Sequence, residues 1–298
     1  MAGGFFIGYS AAMKLTFLHL GALGAALVLA AAPAAVRAQL LGTASSYAAL
    51  GSQTVTNTGS SVLLGDLGTS PGTAITGFAA IDGGPGIFSG AVNAGNAAAA
   101  QARTDLTTAY NTLAALSFTS DLTGTNLGGR ILVPGVYYFS SSAQLTGTLT
   151  LDAQGDPNAR FVFQIGSTLT TASASVVSLI NVSPSPDCGP DNGLFWQVGS
   201  SATIGSGSAF AGSILALTSI TLNSGASIID GRALARNGAV TLDNNRIDAR
   251  DIDGGLCPTG LPGITPVPEP ATYGFAGSVL LLAAAWRRRA ACSRMLAA

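Results

Sequence analysis

FQIGSTLT (Phe163–Thr170), WQVGSSAT (Trp196–Thr203), ILALTSIT (Ile214–Thr221) and ALARNGAVT (Ala233–Thr241) repeat one pattern: apolar-x-apolar, a small polar break, then an apolar residue and threonine. Their closing threonines lie 33, 18 and 20 residues apart. Setting aside the Pro/Gly/Cys-rich excursion around Asn181–Gly193 reduces the long step to about one repeat, the period of a solenoid. Side chains in a strand alternate between faces, so Phe163, Trp196, Ile214 and Ala233 form one inward row, and Leu169, Ala202, Ile220 and Val240 another. Thr170, Thr203, Thr221 and Thr241 then point outward as a ladder, with rungs about 4.8 Å apart if successive coils pair in parallel. The expected fold is all-β with one long helix, built on a parallel β-helix. A doubly wound α/β fold is disfavoured, because it needs a helix between parallel strands and the gaps here hold Gly, Ser and Asn.

Upstream, Thr43–Gly68 and Thr73–Phe78 read as strands that begin or cap the solenoid, and the segments between Asp121 and Ala153 return to strand patterning. Between these regions the period changes. Val92, Gly95, Ala99, Ala102, Leu106, Ala109, Leu113 and Leu116 recur at helical spacing, predicting one amphipathic helix over Ser89–Leu116, about 40 Å long if wholly helical. Its small-residue stripe suits close packing on a flat β-helix face.

The composition, with 39 Gly and 9% charged residues, fits a repetitive β body. A net charge of −1 and the lack of a basic patch before the last residues argue against a nucleic-acid partner. Residues 1–38 read as a secretory signal: Met13-Lys14 opens it better than Met1, an apolar run covers Leu20–Ala32, and Val36-Arg37-Ala38 is the signal peptidase site. The mature chain then begins at Gln39. A Cys188–Cys257 disulfide is the natural expectation in an exported chain, with free thiols as the alternative.

Val267-Pro268-Glu269-Pro270, an apolar stretch Tyr273–Trp286 and Arg287-Arg288-Arg289 follow one another at the C-terminal end. In that order they resemble the PEP-CTERM signal of Gram-negative bacteria. The resemblance implies an exosortase partner, a transient membrane segment and a protein secreted or held at the cell surface; an ordinary anchor is the alternative. The expected division is signal 1–38, β-helix domain 39–257, linker 258–266 and sorting signal 267–298.

Catalytic chemistry has few residues to draw on. His19 and Lys14 fall in the signal and Glu269 in the sorting motif, which rules out Ser-His-Asp, Cys-His, zinc-hydrolase and lysine-nucleophile sites in the mature domain. No cofactor or metal is expected. Asp243, Asp248, Asp251 and Asp253 beside Arg246 and Arg250 could serve a polysaccharide enzyme, but after the last repeat they read better as a polar end cap.

The run from LGTA through TVTNTGS, GDLGTSPGTAITGF, the Ala-rich helix, LVPGVYYFSSSAQLTGTLTLDAQGDPNARFVFQIGSTLTT and WQVGSSATIGSGSAFAGSILALTSITLNSGASIIDGRALARNGAVTL resembles the bacterial and fungal β-helical ice-binding proteins. The resemblance implies a right-handed, three-faced β-helix with an α-helix packed along it, acting on ice without catalysis. It also implies an ice face carrying Thr-Ala/Gly-x-Thr/Asn on successive coils. The matching positions are Thr171 and Ser173, Ser206 and Ser208, Ser224 and Ser227, and Asn244, with serine where threonine is usual. Thr170, Thr203, Thr221 and Thr241 are a second candidate face. The competing function is a structural or adhesive envelope protein that does not bind ice.

Overall fold

The computed structural model describes residues 40–156, 158–182 and 193–250. The short, alternating segments pair into three parallel sheets, which form the faces of a β-helix. Face A has nine strands, face B seven and face C eight. The repeat register is as the sequence requires: Phe163 pairs with Trp196, Trp196 with Ile214 and Ile214 with Ala233. On face B, Leu169, Ala202, Ile220 and Val240 are consecutive partners. Both rows are buried.

An aromatic column fills the inner side of face A. Tyr137 stacks on Phe163 at 5.4 Å between centroids, and Phe163 on Trp196 at 3.9 Å. Trp196 is fully buried, and its Nε1 donates to the Ala211 carbonyl at 3.0 Å, so its one polar atom costs nothing. Across each corner, apolar side chains from faces B and C fill the remaining space.

Outer residues of face A are also apolar, and a helix covers them. Leu50, Val162, Phe195, Leu215 and Leu234 are buried together with Ala102, Leu106, Ala109, Tyr110 and Leu113 of helix α1 (Ala97–Ala114). Apart from a single turn at Ala79–Asp82, α1 is the only α-helix among the described residues. Small residues on its stripe let it lie close, and polar contacts fix its position. The Gln164 amide donates to the Leu113 and Leu116 carbonyls at 2.7 and 2.8 Å, capping the last turn. Tyr110 donates to the Val198 carbonyl at 3.3 Å, and the Asp105 carboxylate accepts the Thr43 amide at 2.8 Å.

Helix α1 begins later than Ser89. Val92–Ala94 is a strand pairing with Asp66–Thr69, Gly95 turns the chain at φ +66°, and the Asn96 side chain then accepts the Ala99 amide at 3.0 Å. The start is therefore set by a left-handed glycine and an N-cap, and the eighteen helical residues span about 27 Å. Val92 and Gly95 matched the helical spacing only because three- and four-residue steps also fit a strand and a turn.

The coil order differs from the chain order. The coil built from Ala233–Ala235, Val240–Leu242 and Arg246–Asp248 does not end the stack: Tyr47–Gly51, Thr54–Asn57 and Val62–Leu64 pair onto it, with Ala49 opposite Ala233, Val55 opposite Val240 and Leu63 opposite Ile247. This corrects the reading of Asp243 and Asp248 as part of an end cap, since another coil already occupies that edge. The N-terminal coils lie beyond the last repeat, α1 then runs back along face A, and residues 120–133 start the far end.

Buried polar groups hold this join together. Arg232 is fully buried; its Nη2 donates to the Ala249 carbonyl at 2.9 Å, its Nη1 to Ser213 Oγ at 3.4 Å and its Nε to the Ser45 carbonyl. Asn245 donates to the Asn223 and Ala226 carbonyls at 2.9 and 3.0 Å, while its amide donates to Ser61 Oγ at 2.9 Å.

Candidate functional site

Face B, unlike face A, has no helix laid over it among the described residues. Its strands run Ala143–Leu145, Leu169–Thr171, Ala202–Ile204, Ile220–Leu222, Val240–Leu242, Thr54–Asn57 and Ala74–Thr76. The central side chain of each short strand points outward. Registered partners make one row: Gln144, Thr170, Thr203, Thr221, Thr241, Thr56 and Thr76. All seven are exposed or half-buried. Six steps at sheet spacing give a row about 29 Å long.

Threonine suits a rigid row, because branching at Cβ leaves few χ1 states and the methyl and hydroxyl are held in fixed relation. A parallel line of small polar residues flanks it. In that line the Thr168 hydroxyl donates to Ser142 Oγ at 2.8 Å, the Ser219 amide to Ser201 Oγ at 3.3 Å, and the Ala239 amide to Ser219 Oγ at 3.2 Å. No arginine lies in either line. The surface is therefore an uncharged array of hydroxyls and methyls whose spacing is dictated by backbone pairing.

The other predicted site residues occupy the corner between faces B and C. Thr171 and Ser208 are 4% and 1% exposed; their hydroxyls approach each other at 3.4 Å, Thr171 Oγ1 accepts the Gly205 amide at 2.8 Å, and Ser208 Oγ donates to the Ala172 carbonyl at 3.0 Å. Ser173, Ser206, Ser224 and Asn244 are exposed around the turn, and Ser227 is half-buried at the start of a face C strand. Two of the seven are buried, so the set does not form one exposed row. The Ser-Gly steps have a backbone reason: Gly207 and Gly225 adopt φ +64° and +74°, and Ala174 and Asn244 take the same left-handed region at the equivalent turns. Asn244 is further engaged in accepting the Ser60 amide at 2.8 Å.

Thr56 and Thr76 were not picked out from the sequence. Their signal was present in TVTN and AIT, which show the same alternation as the repeats, but nothing local placed them next to Thr241. Cys188 and Cys257, with Asp251 and Asp253, lie outside the described residues.

Asp248 is part of neither surface row. It is 1% exposed, with Arg250 Nε at 3.0 Å and Arg246 Nη2 at 2.9 Å. Burial opposes ionisation of Asp248, but hydrogen bonds and charge from Arg250, aided by Arg246, outweigh it and hold the carboxyl below the usual carboxylate range. A depressed folded pKa means that this stabilisation is complete above the unfolded value, about 3.9, and is lost as pH falls through the folded one. Melting temperature followed from pH 5 down to pH 2 is expected to fall less steeply in Asp248→Asn than in the parent; parallel curves would contradict this.

Comparison with known proteins follows the same body. The family model described as ice-binding-like matches residues 49–248, from the N-terminal coil to the last face C strand, and the PEP-CTERM protein-sorting motif matches residues 266–289. An ice-binding protein of Nostoc sp. is 52% identical over 252 residues, covering 84% of this chain and 87% of its own. Among solved structures, the ice-binding protein of the Antarctic ascomycete Antarctomyces psychrotrophicus is 40% identical with a TM-score of 0.64, covering 71% of this chain and 98% of that one. An ice-binding protein from an Antarctic biological consortium is 44% identical with a TM-score of 0.63, covering 70% and 89% respectively.

Proposed function

The chain belongs to the ice-binding-like family, and from that premise we propose that it is an exported ice-binding protein whose contact surface is face B. Thr170, Thr203, Thr221, Thr241, Thr56 and Thr76 form the main row of contacts, with Thr168, Ser201, Ser219 and Thr54 beside it. The PEP-CTERM motif directs the protein to the cell surface or the medium.

The observation that carries this assignment is the contrast between the three faces. Face A is covered by α1, and face C carries Arg246 and irregular apolar side chains such as Ile131 and Ile229. Face B alone is regular, uncharged in its rows and open. Ice is a periodic array of water, so its recognition favours many weak contacts at fixed spacing over a few strong ones. Hydroxyls can hydrogen-bond first-layer water while methyls order the water between them, and a rigid backbone avoids an ordering cost at each rung. No catalytic step is involved.

The direct test is partition during slow freezing. The purified exported chain is expected to concentrate in the ice phase, shape crystals into facets and suppress recrystallisation. Exclusion from ice together with round, unfaceted crystals would sink the assignment.

A further inference from the structure

One end of the solenoid carries features that an ice face does not need. Where the threonine row gives way to Gln144, a hollow of about 220 Å³ is lined by Gly124, Thr125, Asn126, Ser142 and Gln144. None of these side chains is titratable. Ser142 Oγ accepts the Thr168 hydroxyl, which leaves its own proton to donate, and the exposed Gln144 amide offers a donor and an acceptor side by side. Asn126 is held as a wall: its Oδ1 accepts the Gly128 and Thr146 amides at 2.8 and 3.1 Å.

Around the corner on the same two coils, Phe118 stacks on Tyr138 with centroids 4.9 Å apart and planes 17° apart. Phe118 is 52% exposed and Tyr138 half-buried, so the pair presents aromatic surface to solvent. Tyr138 precedes Ser142 by four residues on one coil, a chain distance of about 13 Å. The other stacked aromatics on these coils and their neighbours, Tyr137, Phe163 and Trp196, are core residues.

We propose that this end binds a neutral, hydroxyl-rich chain of the kind found in uncharged polysaccharides. A sugar ring has an apolar C–H face that suits the exposed Phe118 ring, and vicinal hydroxyls match the donor and acceptor of Gln144 and the Ser142 proton. The lining side chains themselves carry no charge, and the cation beside them, Arg130, is tied by its Nε to the Asn126 carbonyl at 2.9 Å, so hydrogen bonds and ring stacking lead recognition. An exported protein with such a site can be held in a surface polysaccharide layer while face B stays free. This proposal does not depend on ice binding.

The experiment is affinity electrophoresis of the full exported chain through native gels containing hydroxyethyl cellulose, dextran or galactomannan in turn. The parent is expected to be retarded by at least one polymer, with Phe118→Ala and Gln144→Ala each weakening retention about tenfold. Melting curves confirm that these variants fold, and Phe118→Ala is expected to shape ice as the parent does. Thr203→Tyr/Thr221→Tyr is expected to keep the retardation, separating this site from face B. No retardation by any polymer, equal retardation of the parent and both end variants, or loss in the face B variant would overturn the proposal.

Discussion

Thr203→Tyr together with Thr221→Tyr is expected to remove crystal faceting and to lower recrystallisation inhibition about tenfold or more. These are neighbouring central rungs, paired directly in the face B sheet. A phenol ring stands well proud of a threonine, so it lifts the surface away from ice on both sides and uncouples rungs that are themselves unchanged. Contacts that are individually weak act only when made together, so the loss exceeds two rungs in seven. The fold is expected to survive, because both positions point outward and tyrosine is a good strand residue. Thr203→Ser with Thr221→Ser is the finer version: the hydroxyls stay, the methyls and χ1 restraint go, and activity falls only in part. Ser206→Tyr with Ser224→Tyr, at the corner, is expected to cost much less. If the corner pair abolished faceting and the ladder pair did not, the contact surface would be on the wrong face.

The second large effect is expected at the join between the two ends of the chain. Arg232→Met keeps most of the aliphatic volume but strips hydrogen bonds from the Ser45 and Ala249 carbonyls and from Ser213. Leaving such groups buried without partners costs about 3 kcal/mol in total, which for a body of this size lowers the melting temperature by about 6–12 °C. Arg232→Lys is expected to rescue little, since a single ammonium cannot reach three partners set out for a planar fork. Hydrogen exchange should rise first in Tyr47–Asn57 and Ala233–Leu242, whose pairing depends on the join. A melting temperature within about 2 °C of the parent would show that apolar stacking alone holds the coils together.

The prediction of helix α1 shows where local reading works and where it fails. Ala99, Ala102, Leu106, Ala109 and Leu113 were legible because a helix on a flat face must bury one stripe, and all five are buried. The start was not, because an N-cap asparagine after a left-handed glycine looks like any loop until the preceding residues are seen to pair with Asp66–Thr69. The period of the corner serines has a backbone reason. Ser-Gly repeated once per coil is periodic whether the period serves a ligand or a turn, and at Gly207 and Gly225 a positive φ accounts for it.

The sequence by itself determined that the chain forms a parallel β-helix, which side chains face inward, and that one threonine per coil faces out. All of this follows from a two-residue alternation repeated once per turn, which is local information. Tertiary structure alone decided which face is covered and how long the threonine row is. Face A could be known as covered only once its outer residues Val162, Phe195, Leu215 and Leu234 were seen against α1. The row gains Thr56 and Thr76 only because the first coils of the chain stack on the last. That contact joins residues more than 180 positions apart, as in the Ser60 amide to Asn244. It is held by buried polar groups whose partners no local pattern could name.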